Sequence, residues 1–512
     1  MFNPYFWHNR NKQIFKSIMK PFLFFSCTMC LFFMACNPKQ NKQLVSEEQN
    51  IPDISAIENG LLPPVVVKGD SIETYSLEER MEYYKVPGVS IAVVKEGKLL
   101  WAKGYGVANT DTGTKVDVNT MFQAGSISKP IAALAALKLV EEGKVDLDTD
   151  VNQYLKDWKI PQTDLTENQK VTLRLLLTHS AGMTVHGFPG YKQSDTFPSI
   201  VEVLNGEGNT PKIYVDTKPN TIWRYSGGGY TVMEKVVEDV SGMPLEAYLE
   251  NEFLSKLKMK NSTFAQPLTQ DYHGIASAAY NTKGEIVEGL WHNYPEQAAA
   301  GLWTTPSDLA KYCIEIQEIV KGKTDGILSQ ETVKAMLTKH KNDWGLGPAL
   351  SGEGENLLFR HGGKNEGFSN NMIAFANQGN AIIVMTSADN GGKLYGEILR
   401  GISTYYGWEI GYEVKEVEVA VLEQDYLEGL TGKYKFTEKK PDGTDYIVEL
   451  KAGKNKIIVN DPNNGEVDYI TPLSETEFMD ISDGDYVKFQ VSDPVGFLWN
   501  NYYQFYKISD EQ

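Results

Sequence analysis

Residues 123–140 join a short glycine-containing loop to a long alanine-rich helix, and the rest of the chain is predicted to fold around this segment. Ser126 lies at the start of the helix, and Lys129 follows three residues later. Residues three apart share a helix face, so the hydroxyl and the amine can meet. A helix start also presents unpaired N–H groups that suit a developing negative charge. Because a lysine shielded from water can lose its proton and activate a serine, the spacing predicts a nucleophile and its partner.

The same residues have a second interpretation. The pattern S-x-x-K recurs by chance, and Ser126 is then a helix cap while Lys129 is a solvated charge. Support for the catalytic interpretation must therefore come from other segments of the chain.

The first 35 residues are predicted to be a targeting segment. A basic leader precedes an apolar run that is too short to span a membrane comfortably, and this run ends just before Cys36. The arrangement resembles a bacterial lipoprotein signal, which implies a lipid on Cys36 and an exported, lipid-anchored protein on the periplasmic side of a membrane. An ordinary cleaved signal and an uncleaved anchor remain alternatives, and the membrane leaflet stays open.

Charge, length and cysteine content limit the possible partners and the domain organisation. The formal net charge of −18 argues against a nucleic-acid partner, because phosphate binding needs clustered lysine and arginine. The 512 residues favour two domains after the targeting segment is removed. Once Cys36 carries lipid, Cys313 has no disulfide partner and is interpreted as a core residue. His179, on a leucine-rich segment, is likewise interpreted as a core histidine.

The chain divides into four parts after the targeting segment. Residues 36–70 are polar and are predicted to be a tether. Residues 71–410 carry strand patterns at both ends with helices between, which predicts an α+β domain whose sheet is built from both ends. Residues 411–426, where valines alternate with acids, are predicted to be a linker. Residues 427–512 contain only short strands and turns, which predicts a small all-β barrel or sandwich.

Three further segments place polar groups beside glycines. Tyr225 precedes the run 227–229, which we interpret as flexible, and the segment 298–306 is rich in small residues where a helix begins. At the end of a predicted strand stand His361, Gly362 and Gly363. Glycines at a strand end let a substrate approach the backbone closely.

Taken together, these segments resemble the serine β-lactamase-related family, which includes class C β-lactamases, D,D-peptidases, D-aminopeptidases and certain esterases. The resemblance covers residues 72–407 in the family's order. It implies a penicillin-binding-protein-like fold, in which an antiparallel sheet is flanked by helices and packs beside a helical lobe. The C-terminal part resembles the small lipocalin-like domains appended to such hydrolases, and we expect it to cover the cleft or to order substrate access.

The resemblance also implies roles for individual residues. Ser126 matches the acylated serine, Lys129 its partner and Tyr225 the tyrosine of a Y-x-N element. The family's K-T-G or H-x-G strand triad matches His361, Gly362 and Gly363. The backbone N–H groups of Ser126 and Lys364 would then stabilise the oxyanion. Whether Lys129 or Tyr225 is the base is left open.

Two departures from the family pattern affect the expected substrate. Gly227 stands where the Y-x-N element has asparagine, and His361 stands where β-lactamases have lysine, so two groups that hold a β-lactam are missing. We therefore expect a serine hydrolase that cleaves an ester or a D-amino-acid peptide, with small-molecule, peptide or cell-wall-derived substrates all compatible. A true class C-type β-lactamase and a non-catalytic scaffold or ligand-binding protein remain alternatives.

No cofactor or metal is expected in this chemistry. The histidines show no zinc spacing, and an H-E-x-x-H pattern is absent from the sequence.

Overall fold

The computed structural model describes residues 53–439, 444–463 and 465–509. The predicted signal segment 1–35 and the predicted lipidation site Cys36 lie outside these ranges. In the described part an α+β domain is followed by a closed β-barrel.

The α-helices are mostly short, and the long ones pack on the central sheet or in the helical lobe. Their bounds are α1 Ile54–Glu58, α2 Leu77–Tyr83, α3 Ser128–Glu141, α4 Asp164–Glu167, α5 Leu173–Leu177, α6 Ile200–Asn205, α7 Gly227–Ser241, α8 Leu245–Leu249, α9 Gln270–His273, α10 Gln297–Ala300, α11 Pro306–Val320, α12 Gln330–Met336, α13 Gly391–Tyr406 and α14 Gln424–Gly429.

The strands form a central sheet, two small pairs and the barrel. Their bounds are β1 Val65–Val67, β2 Gly88–Lys95, β3 Lys98–Asn109, β4 Thr114–Lys115, β5 Phe122–Gln123, β6 Trp303–Thr304, β7 Ala349–Ser351, β8 Leu358–Asn365, β9 Phe368–Phe375, β10 Ala381–Thr386, β11 Lys415–Val417, β12 Gly432–Lys439, β13 Asp445–Gly453, β14 Lys456–Asp461, β15 Glu466–Pro472, β16 Glu477–Asp480, β17 Tyr486–Gln490, β18 Gly496–Trp499 and β19 Tyr503–Lys507.

The central sheet confirms the prediction that both ends of the domain contribute strands. Its order is β4-β3-β2-β10-β9-β8-β7, and neighbouring strands are antiparallel. Strands β9 and β10 are buried along their length because helices cover both faces of the sheet. On one face lies the core that contains α3 and α11, and on the other lies the core that contains α13. Strand β8 continues past its pairing with β7, which leaves residues 361–365 paired only with β9.

The segment around which the fold was predicted to form contains a long helix, α3, as expected. A 3₁₀ turn, Gly125–Ile127, leads directly into it. Residues 128–137 of the helix are all buried, so alanine is favoured there for close packing rather than for solvent exposure. The turn that carries Ser126 is thereby fixed to the interior of the domain.

The range predicted to be a tether needs correction. Its described part forms α1 and β1, and Ile57, Leu61 and Val65 are buried. Strand β1 pairs in parallel with β11, which lies in the range predicted to be a linker. The physical reason is that a few apolar side chains within a polar segment suffice to pack it against α13 and the linker.

The C-terminal barrel closes through pairing of β12 with β19 and has eight strands. Alternate residues point inward, and the interior is filled by apolar and aromatic side chains such as Tyr434, Phe478 and Phe497. The prediction of a small all-β barrel or sandwich in residues 427–512 is confirmed as a barrel. The contacts with the first domain lie at α13 and beside β1: Lys393 Nζ is 2.9 Å from Asp483 Oδ2, and Gly484 lies against Pro64.

Candidate active site

Ser126 and Lys129 lie together, as their spacing predicted. Lys129 Nζ donates a hydrogen bond to Ser126 Oγ at 3.0 Å and another to the carbonyl of Ala299 at 2.8 Å. Ser126 is half-buried, whereas Lys129 is only 2% exposed. The alternative in which Lys129 is a solvated charge is therefore wrong, because its side chain is buried in the interior of the domain.

Burial changes the protonation of this lysine. Loss of water around the amine lowers the pKa of Lys129 from 10.5 to about 7. A substantial fraction of the side chain is then a neutral amine near neutral pH. A neutral amine keeps a lone pair that can accept the proton of the neighbouring hydroxyl while an N–H still bonds the Ala299 carbonyl.

Tyr225 completes the polar group around Ser126. Its ring centroid is 4.9 Å from Lys129 Nζ. Burial raises the pKa of the Tyr225 phenol, and the polar interaction with the Ser126 side chain only partly opposes that rise. The phenol is therefore protonated at neutral pH and is suited to donate a proton rather than to remove one.

His361 contributes a neutral imidazole to the site. Its Nδ1–H donates to the Gly362 carbonyl at 2.6 Å, and its ring centroid is 6.1 Å from that of Tyr225. Burial first, and the charge of Lys129 second, lower the pKa of His361 to about 3. Among the described residues its Nε2 has no hydrogen-bond partner. Strand β8 therefore contributes a neutral imidazole here, not a permanent positive charge.

Two glycines press the serine turn against β8. A Cβ on Gly363 would lie 1.9 Å from the Ala124 carbonyl oxygen, and a Cβ on Gly125 would lie 2.5 Å from the Lys364 nitrogen. Gly125 also has a positive φ of 55°. Only glycine permits this approach, so the backbone of Lys364 lies beside the turn that holds Ser126. Gly362, by contrast, is open to solvent.

The Lys364 side chain takes no part in this contact. It lies 42% exposed, and Lys364 Nζ is 3.5 Å from Asp389 Oδ1. What the strand offers to a ligand at this position is its backbone.

Polar side chains tie the turn to its surroundings. Ser128 Oγ donates to the Gly125 carbonyl at 2.6 Å, and Asn370 Nδ2 donates to the Gln123 carbonyl at 2.8 Å. Asn365 Nδ2 bridges Gln123 Oε1 at 2.9 Å and the Ala300 carbonyl at 3.0 Å. These buried bonds hold the turn, β8 and α10 in one rigid unit.

Several aromatic side chains near Tyr225 were not predicted from the sequence as site residues. The His179 ring stacks on Tyr225 at 4.2 Å, and its Nδ1 accepts the Ser226 N–H at 3.1 Å. The interpretation of His179 as a buried histidine is confirmed, but it is buried against the site. The His186 ring lies 5.0 Å from Tyr225, and the Trp344 ring lies 5.8 Å from it.

The small-residue segment near residue 300 also has a role that sequence reasoning missed. Its backbone supplies the carbonyl of Ala299 that accepts a hydrogen bond from Lys129. A carbonyl acceptor has no side-chain signature, so the alanine run was the only available signal, and it indicated close packing rather than chemistry.

A hydroxyl bonded to a buried amine, beside a glycine-bordered strand edge, is an arrangement suited to acyl transfer. The chain belongs to the Beta-lactamase family, whose model matches residues 76–401, more than half of its length.

Curated relatives come from Staphylococcus aureus. Protein flp of strain N315 is 25% identical over 323 residues, which cover 61% of this chain and 62% of that protein. A teichoic acid D-alanine hydrolase of strain MRSA252 is 29% identical over 234 residues, covering 45% of this chain and 54% of that protein. The chain thus spans between half and two thirds of the length of these relatives.

Solved structures show the same fold. An octameric penicillin-binding protein homologue from Pyrococcus abyssi has a TM-score of 0.57 at 23% identity, covering 84% of this chain and 98% of that chain. FmtA from Staphylococcus aureus has a TM-score of 0.50 at 21% identity, covering 68% of this chain and 91% of that chain.

The described residues contain no helix with the length and apolar character needed to cross a bilayer. They also contain no group of three or more His, Cys, Asp or Glu side chains placed to hold a metal ion.

Proposed function

We propose that this protein is a serine hydrolase that forms an acyl-enzyme on Ser126 and cleaves esters or peptides of D-amino acids. The observation that carries the proposal is the 3.0 Å contact between Ser126 Oγ and a buried lysine whose pKa is lowered to about 7. The relative that is a teichoic acid D-alanine hydrolase supports a D-aminoacyl ester as one substrate class.

The proposed reaction uses the residues in turn. Neutral Lys129 takes the Ser126 proton while Oγ attacks the acyl carbonyl. The N–H groups of Ser126 and Lys364 stabilise the oxyanion, and one such donor is worth about 2.7–4 kcal/mol in a well-studied protease. Protonated Tyr225 gives its proton to the leaving group and recovers one from Lys129. In the second half of the reaction, neutral Lys129 takes a proton from water as the water attacks the acyl carbon, and returns that proton to Ser126 Oγ as the bond to the acyl group breaks.

The protonation states favour Lys129 over Tyr225 as the base. The amine has a pKa lowered toward neutrality, whereas that of the phenol is raised by burial. The neutral His361 also offers no fixed charge to a β-lactam carboxylate, which supports weak or absent β-lactam hydrolysis.

A substrate panel tests the proposal. We expect Ser126-dependent turnover of p-nitrophenyl esters or D-Ala-D-Ala peptides, and turnover of nitrocefin at least about 100-fold slower in kcat/KM. Ser126→Ala should abolish turnover, while Ser71→Ala, which removes an exposed hydroxyl outside the serine turn, serves as the control. Equal turnover by wild type and Ser126→Ala would contradict the proposal, and absence of turnover of every substrate in the panel would favour a scaffold or ligand-binding role. Nitrocefin turnover as fast as ester turnover would instead favour a β-lactamase.

We further propose that the protein is exported and held to a membrane by lipid on Cys36, where cell-wall-derived substrates are accessible. Metabolic labelling with a palmitate analogue should mark the wild-type protein and not Cys36→Ser. Equal labelling of both would contradict lipidation at this position.

A further inference from the structure

Loop 184–188 lies on one side of the proposed site and ends in two rings. The His186 ring tilts over Tyr225 with a centroid distance of 5.0 Å, and Phe188 follows two residues later. His186 is exposed beside Tyr225, and Phe188 is half-buried, with its ring over Gly227, two residues after Tyr225. Neither residue has a role in the proposed proton transfers.

The loop is fixed by the first turn of α7. The N–H of Gly227 donates to the His186 carbonyl at 2.9 Å, and that of Gly228 donates to the Val185 carbonyl at 3.0 Å. Ser226 Oγ donates to the Thr184 carbonyl at 2.9 Å. Since the first N–H groups of a helix otherwise lack partners, these bonds satisfy α7 and hold the loop in place.

The glycine run makes this approach possible, so our interpretation of it as flexible is corrected. A Cβ on Gly227 would lie 2.9 Å from the Phe188 ring and 3.1 Å from the His186 carbonyl oxygen. A Cβ on Gly228 would lie 2.6 Å from the Thr184 carbonyl oxygen. The Phe188 ring therefore occupies the space that a side chain at position 227, two residues after Tyr225, would need.

We infer that Phe188 determines specificity by restricting the acyl group to a small one, about the size of an acetyl or alanyl group. The inference rests on the proposed acyl-enzyme at Ser126. With the carbonyl oxygen directed at the β8 backbone, the proposed acyl chain would extend past Tyr225 toward the loop that holds His186 and Phe188. Because hydrogen bonds to the start of α7 hold the loop that carries these rings, the rings cannot move far to admit a longer acyl chain. Each added methylene should therefore lower kcat/KM.

Esters with one leaving group and different acyl chains test this inference. For p-nitrophenyl acetate, butyrate and hexanoate, we expect wild-type kcat/KM to fall at least about tenfold from acetate to hexanoate. In Phe188→Ala the fall should shrink to less than about threefold. Phe197→Ala, which removes a partly exposed ring from a different surface, should leave the wild-type profile unchanged. If Phe188→Ala does not fold, Phe188→Leu should give an intermediate profile.

A second series varies the leaving group with a constant acetyl group, using phenyl, p-nitrophenyl and 4-methylumbelliferyl acetates. Relative rates in this series should be the same for wild type and Phe188→Ala. A wild-type profile that is flat or rises toward hexanoate would overturn the inference, as would a hexanoate-to-acetate ratio that folded Phe188 variants leave unchanged. Absence of Ser126-dependent turnover of every ester would overturn the proposed function and this inference together.

Discussion

Lys129 shows how a single residue trades stability for chemistry. Its amine is almost fully buried, and the lowered pKa means that the folded state resists protonation. Between about pH 7 and 10.5 the unfolded chain binds a proton at this lysine that the folded chain releases. The resulting penalty is full below about pH 7 and disappears as the pH rises toward 10.5, and its full size is on the order of 4 kcal/mol. Its hydrogen bonds to Ser126 and Ala299 offset part of that cost.

The first prediction is that Lys129→Met abolishes turnover and raises the free energy of unfolding by about 1–3 kcal/mol at pH 7. Chemical denaturation at pH 7 and pH 10 measures this, and the gain should be smaller at pH 10. Lys138→Met, on the same helix but 27% exposed and paired with Glu141, is the control and should change stability by less than about 0.5 kcal/mol. A loss of stability in Lys129→Met at pH 7 would contradict the assigned penalty.

At the scale of elements, the contact between strand β8 and the serine turn sets the position of the Lys364 backbone relative to Ser126. Neighbouring glycines of β8 have opposite surroundings: Gly363 faces the Ala124 carbonyl, and Gly362 faces open space, with its nearest neighbours at 3.9 Å. Since alternate residues of a strand point to opposite faces, the two positions test the same strand with and without the contact.

The second prediction concerns this pair. Gly363→Ala must separate β8 from the turn, so we expect kcat/KM for an ester to fall at least about 100-fold, since the proposed oxyanion donors move apart. The melting temperature should fall too. Gly362→Ala should retain activity within about threefold and fold normally. Similar losses in both variants would show that the contact at Gly363 is not the deciding one.

In the whole molecule, the barrel docks away from α3. Its described contacts are with Lys393 on α13 and with residues beside β1, on the sheet face opposite the core that contains α3. The sequence-based expectation that this domain covers the cleft therefore has no support from those contacts. Pairing of β1 with β11 instead joins the N-terminal segment to the chain that leads into the barrel.

The third prediction follows from this placement. Deleting residues 427–512 should leave kcat/KM for p-nitrophenyl acetate within about twofold, because the described barrel contacts lie on the sheet face opposite the core that contains α3. Steady-state kinetics of the truncated and complete proteins measure this, with Asp483→Lys as a milder variant that repels Lys393. A tenfold change in either would show that the barrel acts on the site after all.

The sequence allowed local features to be predicted and left the distant ones open. Spacing alone predicted that Lys129 meets Ser126, and the strand patterns at both ends of the domain predicted a sheet built from both ends. The Ala299 carbonyl and the ring of Trp344 reach the site only through tertiary packing. The periodicity of apolar residues in the sequence does not predict such contacts. The packing of α1 was missed for a related reason: its few apolar residues acquire a partner only when α13 is in place.

The most direct test of the central claim is the rate at which a fluorophosphonate modifies Ser126 as a function of pH, followed by intact-protein mass. We expect a rate that rises through a midpoint near pH 7, because only neutral Lys129 accepts the serine proton. We also expect no modification of Ser126→Ala and a rate reduced at least about 100-fold in Lys129→Met. A rate independent of pH between 5 and 9, or equal modification of Lys129→Met, would contradict the claim.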